Sequence, residues 1–165
     1  MTDKVPTSTT GVKHSYTEFY GPFFEASRQI VRFILEVGVL AGGSLLMWRD
    51  FFPKAEVWGL DRRISRARGT AAENWDMSRI KLLQGDVFET ARKSRLRNVS
   101  EQGGFDIIIN DAFEHKKEQL EFMNVYRYLL RPGGWLILED VPSQEDAEFI
   151  THRFQGDRNR LSVID

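Results

Sequence analysis

The 165-residue chain has no cysteine, which excludes disulfides, thiolate metal sites and cysteine nucleophiles. Histidine is scarce: His14, His115 and His152 are the full set, too few to suggest an imidazole-rich zinc site. No apolar run approaches the roughly 18–20 residues that a membrane helix needs. The opening, Met1 to Tyr20, is polar and lacks the hydrophobic core of a signal peptide, so a cytoplasmic protein is expected, and the cysteine-free composition suits that compartment. A net excess of charge is lacking as well, with 23 basic and 24 acidic residues giving −1. What is present is ordinary globular material, 41% hydrophobic, 12% aromatic and 28% charged, which sets disorder aside. The length suits one domain.

The near-zero net charge hides an asymmetry. Arg62 to Arg97 holds ten basic and four acidic residues, a local +6, and Asn98 to Phe149 holds four basic and eleven acidic, a local −7. A basic block of this kind serves either as a solvated helix face or as a seat for nucleic acid or another anion. Only Trp75 and Phe88 are interleaved among these cations, which argues against stacking on single-stranded nucleic acid.

Apolar, β-rich runs recur at Arg32–Val37, Glu56–Leu60, Ile80–Leu83, Phe105–Ile109, Trp135–Leu138 and Leu161–Ile164. Helical periodicity lies between them, over Leu45–Phe52 (stopped by Pro53), Phe88–Val99, Lys116–Leu130 (stopped by Arg131-Pro132-Gly133-Gly134) and Gln144–Phe154. Strands alternating with helices predict βαβ units and a parallel sheet. Phe105–Ile109 is apolar almost throughout, as a strand buried on both faces must be. The expected fold class is therefore α/β, a Rossmann-like doubly wound and mainly parallel sheet with helices on both faces. Residues 1–28 read as an N-terminal tail or lid, and 29–165 as the single domain.

Ligands of such sheets bind outside the carboxyl ends of the strands. The residues there are Glu36, Asp61, Asp86, Asp111 and the pair Glu139-Asp140, so every one of the first five strands ends near a carboxylate. Aspartate also caps helices and starts turns, which is the structural alternative for any one of them. The first turn, Glu36-Val37-Gly38-Val39-Leu40-Ala41-Gly42-Gly43-Ser44, is rich in glycine, which permits positive φ and close approach to a ligand. It is no dinucleotide fingerprint, because Leu40 stands where glycine is required, and no Walker A loop, because Ser44 stands where lysine is required. A glycine loop behind an acid suits an amine-bearing ligand. Asp61, 25 residues beyond Glu36, is placed to accept from ribose hydroxyls, and Asp86 from an exocyclic amine. The pattern describes a nucleoside with a charged amine tail and no phosphate.

The run Ile34-Leu35-Glu36-Val37-Gly38 to Gly42-Gly43-Ser44-Leu45, with Met47-Trp48, Phe52-Pro53 and Gly59-Leu60-Asp61, resembles the class I S-adenosylmethionine-dependent methyltransferases. In particular it is similar to the branch of macrolide-sugar and other antibiotic O-methyltransferases. Thr2-Asp3-Lys4 with His14, Tyr16 and Tyr20, Gln84-Gly85-Asp86, Asn110-Asp111, Leu130 to Gly134 and Glu139-Asp140 carry the same likeness, which spans about Thr2 to Asp140. The resemblance implies an S-adenosylmethionine site built from Glu36, Gly38, Val39, Gly42, Ser44, Asp61, Arg62, Asp86, Val87 and Asp111. The glycine loop would wrap the methionine part, and Asp86 and Val87 would flank adenine.

Methyl transfer from a sulfonium needs mainly alignment, but a hydroxyl acceptor must also lose its proton to a base or to a metal-polarised state. The expected catalytic residues are His115 and Asp111, with Glu114 as a competing base. The expected ligands of a possible Mg²⁺ are Asp111, Glu139 and Asp140. The expected function is O-methylation of a small, sugar-like hydroxylated acceptor. The alternatives are a nucleic-acid methyltransferase and a non-catalytic protein that binds the cofactor. Members of this fold close the sheet with two further strands after the fifth, whereas only Leu161–Ile164 follows here. An edge strand is therefore expected to be absent, and a homodimer is expected to cover the edge.

Overall fold

The computed structural model describes residues 17–65, 67–68, 76–92, 94–154 and 159–164. His14, Tyr16 and Trp75, singled out above, lie outside the described residues. The strands are β1 (Phe33–Val37), β2 (Glu56–Asp61), β3 (Ile80–Gln84), β4 (Phe105–Asn110), β5 (Leu130–Leu138) and β6 (Arg160–Val163). They form one sheet in the order β3-β2-β1-β4-β5-β6, and every neighbouring pair is parallel. The expected doubly wound sheet is present, and β6 lies directly beside β5.

The helices are α1 (Thr17–Phe24), α2 (Gly43–Phe51), α3 (Val87–Arg92), α4 (Ser94–Glu101), α5 (Lys116–Tyr126) and α6 (Gln144–Phe154). The period-2 alternation of the strands divides the core between the two faces. Ile34, Val57, Ile107, Ile109 and Ile137 pack with Phe24, Leu45, Trp48 and Phe52 from the α1–α2 side. Leu35, Leu60, Ile108, Leu136 and Leu138 pack with Val87, Leu96, Phe122 and Ile150 from α3 to α6. All six residues of β4 are buried, in keeping with its apolar run.

Two expectations need correction. Residues 17–28, expected within the tail or lid, pack on the domain: α1 and the 3₁₀ turn Glu25–Ser27 follow one another, and Tyr20 and Phe24 are core residues packed on Trp48, Phe52 and Trp135. The helix expected over Phe88–Val99 is met on either side of residue 93, which lies outside the described residues, by α3 and α4. The glycines at 133 and 134 do not end a helix; α5 stops at Tyr126, a 3₁₀ turn covers Arg127–Leu129, and β5 already starts at Leu130. Phe105 pairs with Leu130 and Ile107 with Trp135, so β5 carries three extra residues and bulges there. The ion pair of Arg131 Nε with Asp106 Oδ1 (2.6 Å) closes the bulge, while Asp106 Oδ2 accepts from the amides of Arg32 (2.7 Å) and Phe33 (2.8 Å).

Candidate functional site

The strand order reverses between β1 and β4, and parallel sheets open a crevice at such a switch point. Here the chain leaves β1 through Gly38 and leaves β4 through Asp111. The amide of Asp111 donates to Val37 O (2.8 Å), and the amide of Gly38 donates to Leu60 O (2.9 Å). Gly38 has φ +96°, and a Cβ on it would fall 2.2 Å from the Asp111 carbonyl oxygen. Only glycine lets the two loops cross this closely.

A cavity of about 400 Å³ lies at this crossing, lined by Gly38, Leu40, Asp61, Arg62, Arg63, Val87, Asp111, Ala112 and Phe113. It brings together five of the residues expected at a cofactor site, namely Gly38, Asp61, Arg62, Val87 and Asp111, contributed by β1, β2, β4 and the start of α3. Asp61 also braces its own wall. Its Oδ2 accepts from the amides of Val39 (2.9 Å) and Leu40 (3.3 Å), and its Oδ1 from that of Arg63 (2.8 Å).

The other expected residues do different work. Val39 is a core residue, and Gly42 (φ +83°) is the N-cap of α2. Glu36 is buried within β1 and faces α2, where its carboxylate accepts from Ser44 Oγ and from Trp48 Nε1 (2.7 Å). Asp86 caps α3, its Oδ1 accepting from the amides of Phe88 and Glu89 (both 3.0 Å), and its Oδ2 meets Arg62 Nη2 at 3.2 Å. These bonds, the Glu89 amide first, hold the Asp86 carboxyl below its ordinary value. For Asp86 the capping alternative describes the observed contacts.

Around β5 the sequence reading missed Gln119, and named Tyr20 for the family likeness without giving it a role. Tyr20 reaches from α1 to donate to Glu139 Oε1 at 2.5 Å. Burial first, then the negative charges of Glu139, Glu36 and Asp111, raise the tyrosine far above its ordinary value, so it serves as a neutral donor. Gln119, fully buried on α5, donates through Nε2 to Phe113 O (3.0 Å), Glu139 O (3.3 Å) and Asp140 O (3.4 Å). It ties the loop after β4 to the loop after β5. A polar residue on the buried face of a helix was the available signal for Gln119; for Tyr20 the family likeness was the signal, and its partner, 119 residues away, had none.

His115 is the N-cap residue of α5; it is exposed and is not among the residues lining the cavity, and neither is Glu114. Among the described residues no three or more His, Asp or Glu side chains form a group able to hold a metal ion. Asp111, Glu139 and Asp140 are thus not gathered as a ligand set in this geometry, and Glu139 is engaged by Tyr20.

Residues 30–159 match the family model for rhamnosyl O-methyltransferase/CmcI. The chain belongs to this family. Among relatives in the family's chemistry, mycinamicin VI 2''-O-methyltransferase of Micromonospora griseorubida is 30% identical over 139 residues, covering 79% of this chain and 32% of its own length. Demethylmacrocin O-methyltransferase of Streptomyces fradiae is 29% identical over 150 residues, covering 86% and 35%. The solved structure of the MycE methyltransferase from the mycinamycin biosynthetic pathway, in complex with Mg and SAH, superposes with a TM-score of 0.58 at 30% identity, over 80% of this chain and 34% of that one. A caffeoyl-CoA O-methyltransferase-like structure from Staphylococcus aureus shares the fold at TM-score 0.61 and 19% identity, over 86% and 70%. The chain spans about a third of the length of the curated relatives named here.

Proposed function

We propose that this rhamnosyl O-methyltransferase/CmcI family chain binds S-adenosylmethionine in the crevice between β1 and β4 and directs methyl transfer to a hydroxyl of a small, sugar-like acceptor. One observation carries the reading: the cavity at the switch point collects Gly38, Asp61, Arg62, Val87 and Asp111 beside a glycine turn that no side chain could fill. The SAH in the MycE structure and the rhamnosyl acceptor in the family's name agree with it. The domain holding this site is 29–165 together with α1.

When bound, S-adenosylmethionine supplies an electrophilic methyl on a sulfonium. The residues of this chain orient it. Gly38 gives its backbone close approach, Asp61 offers carboxylate lone pairs to ribose hydroxyls, and Val87 and Phe113 offer apolar surface. The local charge of Asp111 favours a cation in the crevice. At the acceptor, the Asp111 carboxylate on the cavity wall receives the hydroxyl proton, and His115, four residues on at the exposed start of α5, passes it to solvent.

The nucleic-acid reading finds little support in the basic block. Arg62 pairs with Asp86, Lys81 with Glu56 and Arg92 with Glu121, and Arg79 donates to three backbone carbonyls. The proposed assembly is a cytoplasmic homodimer formed along the β6 edge; a monomer mass by light scattering at micromolar concentration removes the dimer.

A thermal-shift panel tests the function. S-adenosylmethionine and S-adenosylhomocysteine at ~100 times Kd each stabilise by about 2.7 kcal/mol, whereas NAD and ATP do not. A shift with NAD or ATP alone rejects the reading. With a sugar-bearing acceptor in hand, Asp111→Ala abolishes turnover while leaving S-adenosylhomocysteine binding measurable.

A further inference from the structure

Among the described residues only Leu40, Arg79 and Asp140 combine a side chain with a left-handed backbone. Such a conformation is strained and persists where something holds it. For Arg79 (φ +65°) the guanidinium supplies the reason, with bonds to Arg49 O, Phe52 O and Ala55 O. Leu40 (φ +47°) has no comparable anchor in its side chain. It is 56% exposed, belongs to neither core cluster, and stands on the wall of the cavity. Its backbone is in use, since its amide and that of Val39 donate to Asp61 Oδ2, which keeps residue 40 beside the acid expected at the ribose. Glycine would serve that backbone better. A leucine that costs the free protein strain and exposes apolar surface points to an occupant of the cavity.

We propose that Leu40 is a positioning residue for the cofactor: its isobutyl group closes over the nucleoside half of S-adenosylmethionine, opposite the Phe113 and Val87 surfaces, and excludes water from the Asp61–ribose contact. The inference rests on the cofactor reading above and adds a residue that neither the glycine pattern nor the strand-end acids pick out.

The experiment measures stability and affinity on Leu40→Gly, Leu40→Asn and Leu40→Met, with S-adenosylhomocysteine and adenosine as probes in calorimetry. Leu40→Gly and Leu40→Asn, which tolerate φ > 0, keep or raise the ligand-free Tm. Both weaken S-adenosylhomocysteine and adenosine by the same factor, about tenfold for the loss of a half-buried leucine contact. Leu40→Met stays within about twofold of wild type, as a volume-conserving apolar swap should. If Leu40→Gly lowers the ligand-free Tm, the side chain is structural and the proposal is wrong. If wild type binds S-adenosylhomocysteine and Leu40→Gly binds it equally well, the proposal is wrong and the cofactor reading stands. If wild type binds neither probe, the cofactor reading itself fails and takes the proposal with it.

Discussion

Replacing Gly38 by alanine probes the crossing of the β1 and β4 loops directly. The new Cβ would fall 2.2 Å from Asp111 O, 2.5 Å from Asp111 C and 2.9 Å from Ala112 N. All three are backbone atoms, so no rotamer change relieves the clash. The φ of +96° adds a conformational cost of about 1 kcal/mol for any residue with a Cβ. Relief requires the Asp111 loop to move away from β1, against the Asp111 N to Val37 O bond and the loop's ties to Gln119, at a further cost of about 1–3 kcal/mol. The total is about 2–4 kcal/mol, which for a domain of this size lowers Tm by about 5–15 °C. Gly133→Ala is the control, because Gly133 has φ +77° but nothing within 4 Å of its would-be Cβ. It carries only the conformational cost, about 1 kcal/mol or about 2–4 °C. Differential scanning calorimetry on both variants separates the clash from the strain. The moved Asp111 also weakens S-adenosylhomocysteine at least about tenfold in Gly38→Ala, by the loss of a built contact, and leaves Gly133→Ala unchanged. Equal melting temperatures for the two variants would refute the close-crossing argument.

Tyr20→Phe removes a donor from the buried Glu139 and costs about 1–3 kcal/mol by urea titration. Because the native tyrosine is raised above its ordinary 10.0, its contribution is complete below that pH and declines above it, where only the unfolded chain ionises. The gap between wild type and Tyr20→Phe is therefore constant from pH 6 to 9, roughly, and narrows as pH rises past 10. Asp86 has the opposite sign. Its native carboxyl lies below 3.8, so its contribution is present above that value and is lost as pH falls through the native pKa. Asp86→Ala should flatten the acid limb of the stability curve, and an unchanged acid limb would show that the cap and Arg62 do not favour the charged form. Asp106→Ala strands Arg131 and two amides at the amino end of the sheet, costing about 2–4 kcal/mol. Its S-adenosylhomocysteine Kd stays within about twofold of wild type because the site is at the other end of the strands.

The fold was legible because its signals are local and repeated. The apolar run at Phe105–Ile109, the stop at Pro53 and the alternation of short strands with helices each point to one parallel sheet, and the six strands fall within a few residues of where those signals place them. The boundaries that failed were set by tertiary contact. Pro132-Gly133-Gly134 carries the marks of a helix end, yet pairing of Leu130 with Phe105 and the Arg131–Asp106 ion pair draw the segment into β5 as a bulge. Likewise the Thr/Ser-rich opening gives no hint that Tyr20 and Phe24 further along belong to the core, since their partners Trp48, Phe52 and Trp135 come from distant segments.

The same division runs through the candidate site. That acids gather at one edge follows from topology alone, because parallel strands present all their carboxyl ends together. Which acid meets a ligand depends on side-chain parity and on distant partners. In β1, Leu35 and Val37 face the α3–α6 side, so Glu36 faces α2, and Ser44 and Trp48, one turn apart on that helix, take both of its carboxylate oxygens. Asp61 and Asp111 remain on the cavity wall, while Glu36, Asp86 and Glu139 hold α2, α3 and α1 respectively. A crevice for a cation needs its negative groups fixed before the ligand arrives, since reorienting them on binding would offset the attraction. The acids that do not face the cavity serve that end. Glu36 and Asp86 fix α2 and α3, whose preceding loop and first turn respectively line the cavity, so Glu36→Gln is expected to weaken S-adenosylhomocysteine through the position of the Gly38–Ser44 turn rather than through a lost contact. Calorimetry of Glu36→Gln alone, Leu40→Gly alone and the two together tests this. Additive losses place the two residues in independent roles. A double variant no weaker than Glu36→Gln means that the Glu36–Ser44–Trp48 contacts are what hold Leu40 in place.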